Sequence, residues 1–153
     1  MRLLPDFEYR RLGDFTYHVL TDPKEIRTHL MKWILPEWEL DHRDAPHEHW
    51  TVEWMQALPH LEFDLAIVRL EDIRLHPDLM SVEEFKTSLE ERADEREESM
   101  LRGVSIEPLL VNQQNYQLMD GYTRYTVLKR YNQPKVLAYL GHASPSPPTE
   151  RPA

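Results

Sequence analysis

Residues Asp120-Gly121-Tyr122-Thr123-Arg124-Tyr125 constrain the fold more than any other segment, because the chain must leave a strand and enter a helix within them. Before them, Leu109–Val111 and Tyr116–Met119 read as short strands joined by a polar turn at Asn112–Asn115. After them, a helical pattern runs to Tyr131, Asn132-Gln133-Pro134 breaks it, and Val136–Leu140 reads as a further strand. Glycine at the junction permits dihedrals and close approaches that a side chain forbids.

Upstream, Phe63–Leu70 reads as a strand with Leu65, Ile67 and Val68 expected inside. Ser81 with Glu84 three residues later forms a capping box for an acidic helix. Val82, Phe85, Leu89, Ala93 and Met100 follow one face of that helix, and Gly103 supplies its C-terminal cap. Residues 63–141 thus have the order β-α-β-β-α-β. Nearer the N-terminus, Asp14–Leu20 reads as a strand, and Thr21-Asp22-Pro23 starts a helix with Asp22 as its cap. Ile26, Leu30, Trp33 and Ile34 keep helical spacing until Pro36, which is expected to stop the helix. Trp50–Leu58 reads as a second short helix, and Glu37–His49 as a polar, irregular link. The expected organisation is a Trp- and His-rich elaboration over 1–62, an α/β unit over 63–141, and a disordered Pro/Ser-rich tail over 142–153.

Composition narrows the chemistry. With no cysteine, thiolate catalysis, disulfides and Cys-ligated zinc or iron–sulfur sites are excluded. Only two consecutive apolar residues precede Pro5 and Asp6, so the N-terminus does not read as a signal peptide, and no apolar run approaches the ~18 residues of a membrane span. A cytoplasmic protein without membrane contact is the expectation. The net charge is −9, yet residues 101–141 carry 5 basic and 2 acidic side chains, while 81–100 carry 3 and 8. Duplex DNA draws its affinity from an excess of basic side chains, so this distribution argues against DNA and for a small anionic ligand.

The one basic segment contains the Asp120–Tyr125 turn. The first backbone N–H groups of a helix lack partners and attract anions, and the Arg124 guanidinium is a planar fork suited to phosphate oxygens. Arg124 shares a helical face with Val127, Leu128 and Tyr131, which places it at the edge of the core, where it needs an anionic partner. Asp120 can bind Mg²⁺ or orient a hydroxyl. Equally, Asp120 can cap its own helix or pair with Arg124 at i, i+4. Upstream, Glu97 and Glu98 are candidate general bases, or simply part of a solvated helix with eight acids in twenty residues.

Taken together, Ile67–Ile73, the helix ending Glu97-Glu98-Ser99-Met100, Pro108-Leu109-Leu110-Val111 and Leu118–Leu140 resemble the ParB/sulfiredoxin superfamily over about half the chain. The resemblance implies an α/β (α+β) fold, a mixed sheet with flanking helices, here with an N-terminal helical extension. Sulfiredoxins carry their catalytic cysteine where Tyr122 stands, so that activity is excluded. Partition proteins bind CTP phosphates with a Gly-Glu-Arg-Arg turn, of which Gly121 and Arg124 match while Tyr122 and Thr123 depart. Free-serine kinases use Asp-Gly-His-His-Arg and an upstream glutamate; Asp120, Gly121 and Arg124 match, again with Tyr122 and Thr123 departing.

The resemblance implies a nucleotide (ATP, ADP or CTP) held at Gly121, Tyr122, Thr123 and Arg124, with Mg²⁺ at Asp120. Its enzymatic form is a phosphotransferase acting on a small hydroxylated metabolite, with Asp120, Glu98 and Glu97 as catalytic residues. The alternative is a non-catalytic, nucleotide-responsive partition or regulatory module working through a protein or DNA partner, and the Trp-rich N-terminal region is a candidate protein-contact face. His42, His47 and His49 invite a metal reading, but no matching cluster appears elsewhere in the sequence, so a polar loop is expected there. Trp33, Trp38, Trp50 and Trp54 are expected to pack in the core.

Overall fold

The computed structural model describes residues 6–143; the segment Ser144–Ala153, read from composition as a disordered tail, lies outside the described residues. Six strands and five α-helices follow in the order β1 (Glu8–Leu12), β2 (Phe15–Val19), α1 (Pro23–Asp44), α2 (His49–Ala57), β3 (Leu61–Arg69), α3 (Pro77–Met80), α4 (Glu83–Leu101), β4 (Leu109–Asn112), β5 (Gln117–Asp120), α5 (Tyr122–Arg130) and β6 (Lys135–Ala143). The fold class is mixed α/β. Four strands form one sheet in the order β3-β6-β4-β5, with β6 and β4 parallel and the outer pairings antiparallel. Strands β1 and β2 make a separate hairpin, tied to the loop before β4 by a bridge from Tyr17 to Ile106.

Alternation explains β2, where Phe15, Tyr17 and Val19 are buried and the residues between them are not. Gly13 turns the hairpin at φ +61, and a Cβ there would collide with the Gln133 side chain. That amide is buried, accepts from Asp14 N–H at 3.0 Å and donates to Asp14 Oδ2 at 2.8 Å, locking the hairpin to the end of α5.

Helix α1 starts as its sequence indicates, with the Asp22 side chain accepting from Lys24 N–H and Pro23 in the first turn. It does not stop at Pro36. The helix continues to Asp44, so the expected irregular link shrinks to a few residues after it. Packing decides this. Ile26, Leu30, Ile34 and Trp38 recur every four residues as one buried stripe, and burying a tryptophan removes ~200 Å² from water, roughly 5 kcal/mol. That exceeds the ~3 kcal/mol that a proline costs a helix interior.

Three further expectations are corrected. Ile67 is 59% exposed, because β3 buries Leu61, Phe63 and Val68 instead and the face changes along the strand. The Ser81–Glu84 capping box does not form. Ser81 ends the short helix α3, its hydroxyl donates to Asp78 O at 2.6 Å, and α4 begins at Glu83 without a side-chain cap. Strand β6 also runs to Ala143, two residues into the segment that composition assigned to the tail.

Gly103 does close α4. It adopts φ +90, its N–H bonds Met100 O and the Val104 N–H bonds Ser99 O, the paired pattern of a glycine-terminated helix. One core then joins the N-terminal helices to the sheet, from Ile26 and Trp38 through Phe63 to Leu109, Leu118 and Tyr139.

Candidate functional site

The turn after β5 is built around two irregularities. Between Leu110 and Val111 the β4–β5 register slips, so Leu110 faces Asp120 while Val111 faces Leu118, and Met119 is the extra residue. Bulges of this kind re-aim the side chain beside them. Gly121 follows at φ +103 and serves as the N-cap of α5. A Cβ on Gly121 would lie 2.7 Å from Arg124 Nη2 and 2.8 Å from Leu109 Cδ2, so both the backbone and the guanidinium above it require glycine.

No side chain caps α5. The Tyr125 N–H reaches Gly121 O at 2.8 Å, whereas the N–H groups of Tyr122, Thr123 and Arg124 have no partner among the described residues. Asp120 therefore does not act as the helix cap. It pairs instead with Arg124, at 3.4 Å from Oδ2 to Nη2. Arg124 is held on the core edge as its helical face dictates, with 12% of its side chain exposed. Nη2 also donates to Pro108 O at 3.2 Å, and the buried Nε has no partner. A guanidinium this far out of water with a long ion pair and an unsatisfied nitrogen has capacity left for an anion.

These groups line a cleft of about 590 Å³, within the range of small-molecule sites. Helix α5 and the end of β5 form its base, with Arg92 and Arg96 of α4 beside them. Helices α1 and α2 complete the lining, with Glu37, Asp41 and Asp44 and with Trp38, Trp50 and Trp54. Neither Arg92 nor Arg96 is in an ion pair among the described residues. Arg92 lies over the Phe85 ring at 5.7 Å, and burial together with the nearby Arg124 charge lowers the Arg96 pKa.

The carboxylates feel the opposite field. Burial raises Asp120 above the ordinary value although Arg124 pulls it down. Burial and then the charges of Asp120 and Asp41 raise Glu37, and burial, Asp44 and Asp120 raise Asp41. Glu107, on the cleft floor, moves the other way. Burial pushes it up, but the His29 hydrogen bond at 2.7 Å and the charges of His29 and Arg124 outweigh that and lower it.

Of the residues singled out from sequence, Asp120, Gly121, Tyr122, Thr123 and Arg124 all line the cleft. Tyr122 does so as a buried residue. Its hydroxyl accepts from His76 N–H at 3.1 Å and donates to Leu118 O at 2.9 Å, so what it can offer a ligand is its backbone N–H and ring edge. Glu97 and Glu98 are not among the cleft residues. Glu98 pairs with Arg102 at 3.0 Å, and Glu97 joins Glu90 and Asp94 around Arg130.

Several charged lining residues are not evident from the sequence. Arg92 and Arg96 are one turn apart on α4, a spacing hidden by the surrounding acids. Glu37 and Asp41 are one turn apart on α1, a pattern lost when the helix is ended at Pro36. Glu107 carries no periodic signal.

No family model matches the chain, and no curated protein matches it. Among solved structures, it is similar to a pNOB8-like ParB N-domain in its C2221 form, at 26% identity over 55% of this chain with a TM-score of 0.42. It is similar to a second pNOB8-like ParB N-domain structure at 25% identity, again over 55%, with a TM-score of 0.41. The chain spans 31% and 29% of those two chains. Both are ParB N-domains, the group whose order of elements this sequence resembles.

Proposed function

We propose that the cleft binds the phosphates of a nucleotide. The observation that carries this reading is Arg124, sunk beside Gly121 with a long ion pair, at a helix start where its Nε and the first N–H groups have no partner among the described residues. Arg92 and Arg96 add two further cations to the cleft lining, neither in an ion pair among the described residues. In this account the α5 amides and the Arg124 fork take the phosphate oxygens, and the aromatic wall of Trp38, Trp54 and Phe85 faces the base.

Asp120 fits a Mg²⁺ ligand in the same scheme. Its raised pKa, and those of Glu37 and Asp41, reflect carboxylates held together in a partly dry space, where a hard cation relieves repulsion. Mg²⁺ bound there would neutralise phosphate charge. These carboxylates would hold the ion while Arg124 orients the phosphates.

Two uses of such a site differ in turnover. As a phosphotransferase, the protein would move a phosphoryl group from ATP or ADP to a hydroxyl of a small metabolite. Deprotonation of that hydroxyl would fall to a cleft acid, Asp120, Glu37 or Asp41, because Glu97 and Glu98 are engaged with Arg130 and Arg102. The second use is a nucleotide-responsive module acting through a partner.

Thermal shift with ATP, ADP, CTP and GTP, each with and without Mg²⁺, tests the shared claim. A ligand at 100 times its Kd adds about 2.7 kcal/mol. At least one nucleotide is expected to stabilise the wild type, and no shift with any of the four overturns the reading. Asp120→Asn then separates the uses, since a catalytic Asp120 predicts lost turnover with binding largely kept.

A further inference from the structure

Away from the anion edge of the cleft, the fold gathers metal-ligating side chains that are remote in sequence. His49 opens α2, while His76 and Asp78 lie at the start of α3. One ligand atom from each lies within 4.8 Å of the other two. Glu53, one turn after His49 on α2, reaches both rings, at 3.4 Å from His76 Nε2 and 3.9 Å from His49 Nε2. His49 Nε2 is 2.7 Å from Asp78 Oδ2.

The group has a fixed base and an open mouth. His76 is 4% exposed, with its ring against Trp50 and Trp54 at centroid distances of 5.8 and 5.9 Å. The other three side chains are each more than half exposed, leaving an entry path.

We propose that His49, His76, Asp78 and Glu53 form a binding site for a divalent ion of the zinc type, which ties α2 to α3. Two imidazole nitrogens and two carboxylate oxygens make a complete four-ligand set. Imidazole selects zinc and its neighbours in the transition series over Mg²⁺ and Ca²⁺, which take oxygen ligands. Two ligands come from each side, His49 and Glu53 one helical turn apart and His76 and Asp78 two residues apart, so an ion would cross-link two segments otherwise joined by side-chain packing and these polar contacts.

Without the ion, His76 Nδ1 accepts from Asp78 N–H at 3.2 Å, so the ring proton sits on Nε2 and faces Glu53. Binding at Nε2 moves that proton to Nδ1 and gives up the hydrogen bonds to Glu53 and from Asp78 N–H in exchange for bonds from the ion to the imidazole and to the Glu53 carboxylate. At His49 the Nε2 proton that faces Asp78 moves likewise to Nδ1, which leaves Nε2 and the Asp78 carboxylate to the ion.

The site stands independently of the nucleotide reading, although it lies behind the same wall. Trp50 and Trp54 line the cleft, and the His76 backbone N–H donates to the Tyr122 hydroxyl at the start of α5.

The test is a titration of the full, tag-free chain with Zn²⁺ against a chromophoric chelator, with the visible bands of bound Co²⁺ as a second readout. Wild type is expected to bind one ion, and Mg²⁺ in large excess is expected not to compete. His49→Ala and Asp78→Asn, both at exposed side chains, are expected to weaken binding at least ~10-fold while circular dichroism shows the fold retained. His47→Ala is expected to bind as wild type does. Absence of saturable binding by the wild type overturns the proposal. So does undiminished affinity in folded His49→Ala and Asp78→Asn, which would assign the ion to other histidines.

Discussion

Arg124 and Gly121 act as one unit, because the guanidinium occupies the space that any side chain at position 121 would need. Gly121→Ala combines a φ of +103 with a Cβ 2.7 Å from Arg124 Nη2. Such strain is of order 1–3 kcal/mol, so urea denaturation should report a loss in that range together with weaker anion binding. Wild-type stability would show that the guanidinium yields at no cost. The raised carboxyls make a second residue-level prediction, with a defined sign. Asp120, Glu37 and Asp41 are neutralised first as pH falls, because each titrates above the ordinary ~4. Their ionised forms repel an anion, so sulfate, which stays dianionic in this window, should bind more tightly as pH is lowered from neutral toward ~4. By linkage, the stability these raised groups contribute is present below their unfolded pKa values and lost as pH rises through the folded ones. Calorimetric titration with sulfate should show the trend in wild type and a shallower one in Asp120→Asn. An unchanged slope in that variant would remove Asp120 from the anion site.

At the level of elements, α1 shows where sequence patterns lose to packing. Pro36 is exposed, has no N–H to give the Lys32 carbonyl, and lies inside a 22-residue helix. Replacing it with alanine restores that bond at a gain of ~3 kcal/mol, offset by up to ~1 kcal/mol through a looser unfolded chain. Pro36→Ala should therefore raise stability by about 2 kcal/mol, seen as a melting temperature several degrees higher. A lower one would mean that a bend at Pro36 is needed to seat Trp38.

Apart from the short helix α3, the order of strands and helices from β3 to β6 was legible because Gly103, Asn132-Gln133-Pro134 and the Gly121 turn are local signals that the structure leaves intact. The acidic wall of the cleft was not, since Glu37 and Asp41 share a face only if the helix survives its proline. The metal-ligating group was equally hidden. His49 finds its partners in His76 and Asp78, which no spacing rule connects to it.

On the scale of the whole molecule, charge is sorted rather than spread. The chain carries −9, yet the cleft sets Arg92, Arg96 and Arg124 against Glu37, Asp41 and Asp44. On the proposed reading, such an arrangement would suit a small ligand with an anionic end better than a long polyanion, which an acidic surface repels. No helix among the described residues is long and apolar enough to cross a membrane. The hairpin, α1, α2 and the sheet share one core, so the two walls of the cleft are held by the same packing that holds the fold. The cleft's anion edge should therefore be present before any ligand arrives. Isothermal titration of ATP, ADP, CTP and GTP with Mg²⁺ into wild type, Arg124→Lys and Arg124→Ala measures this most directly, with each variant's own melting curve as a check on folding. The account predicts saturable one-to-one binding of at least one nucleotide, at least ~10-fold weaker in Arg124→Lys, where the charge stays but the fork is lost, and absent in folded Arg124→Ala. Equal affinity in wild type and folded Arg124→Ala, or no binding of any of the four to wild type, would contradict it.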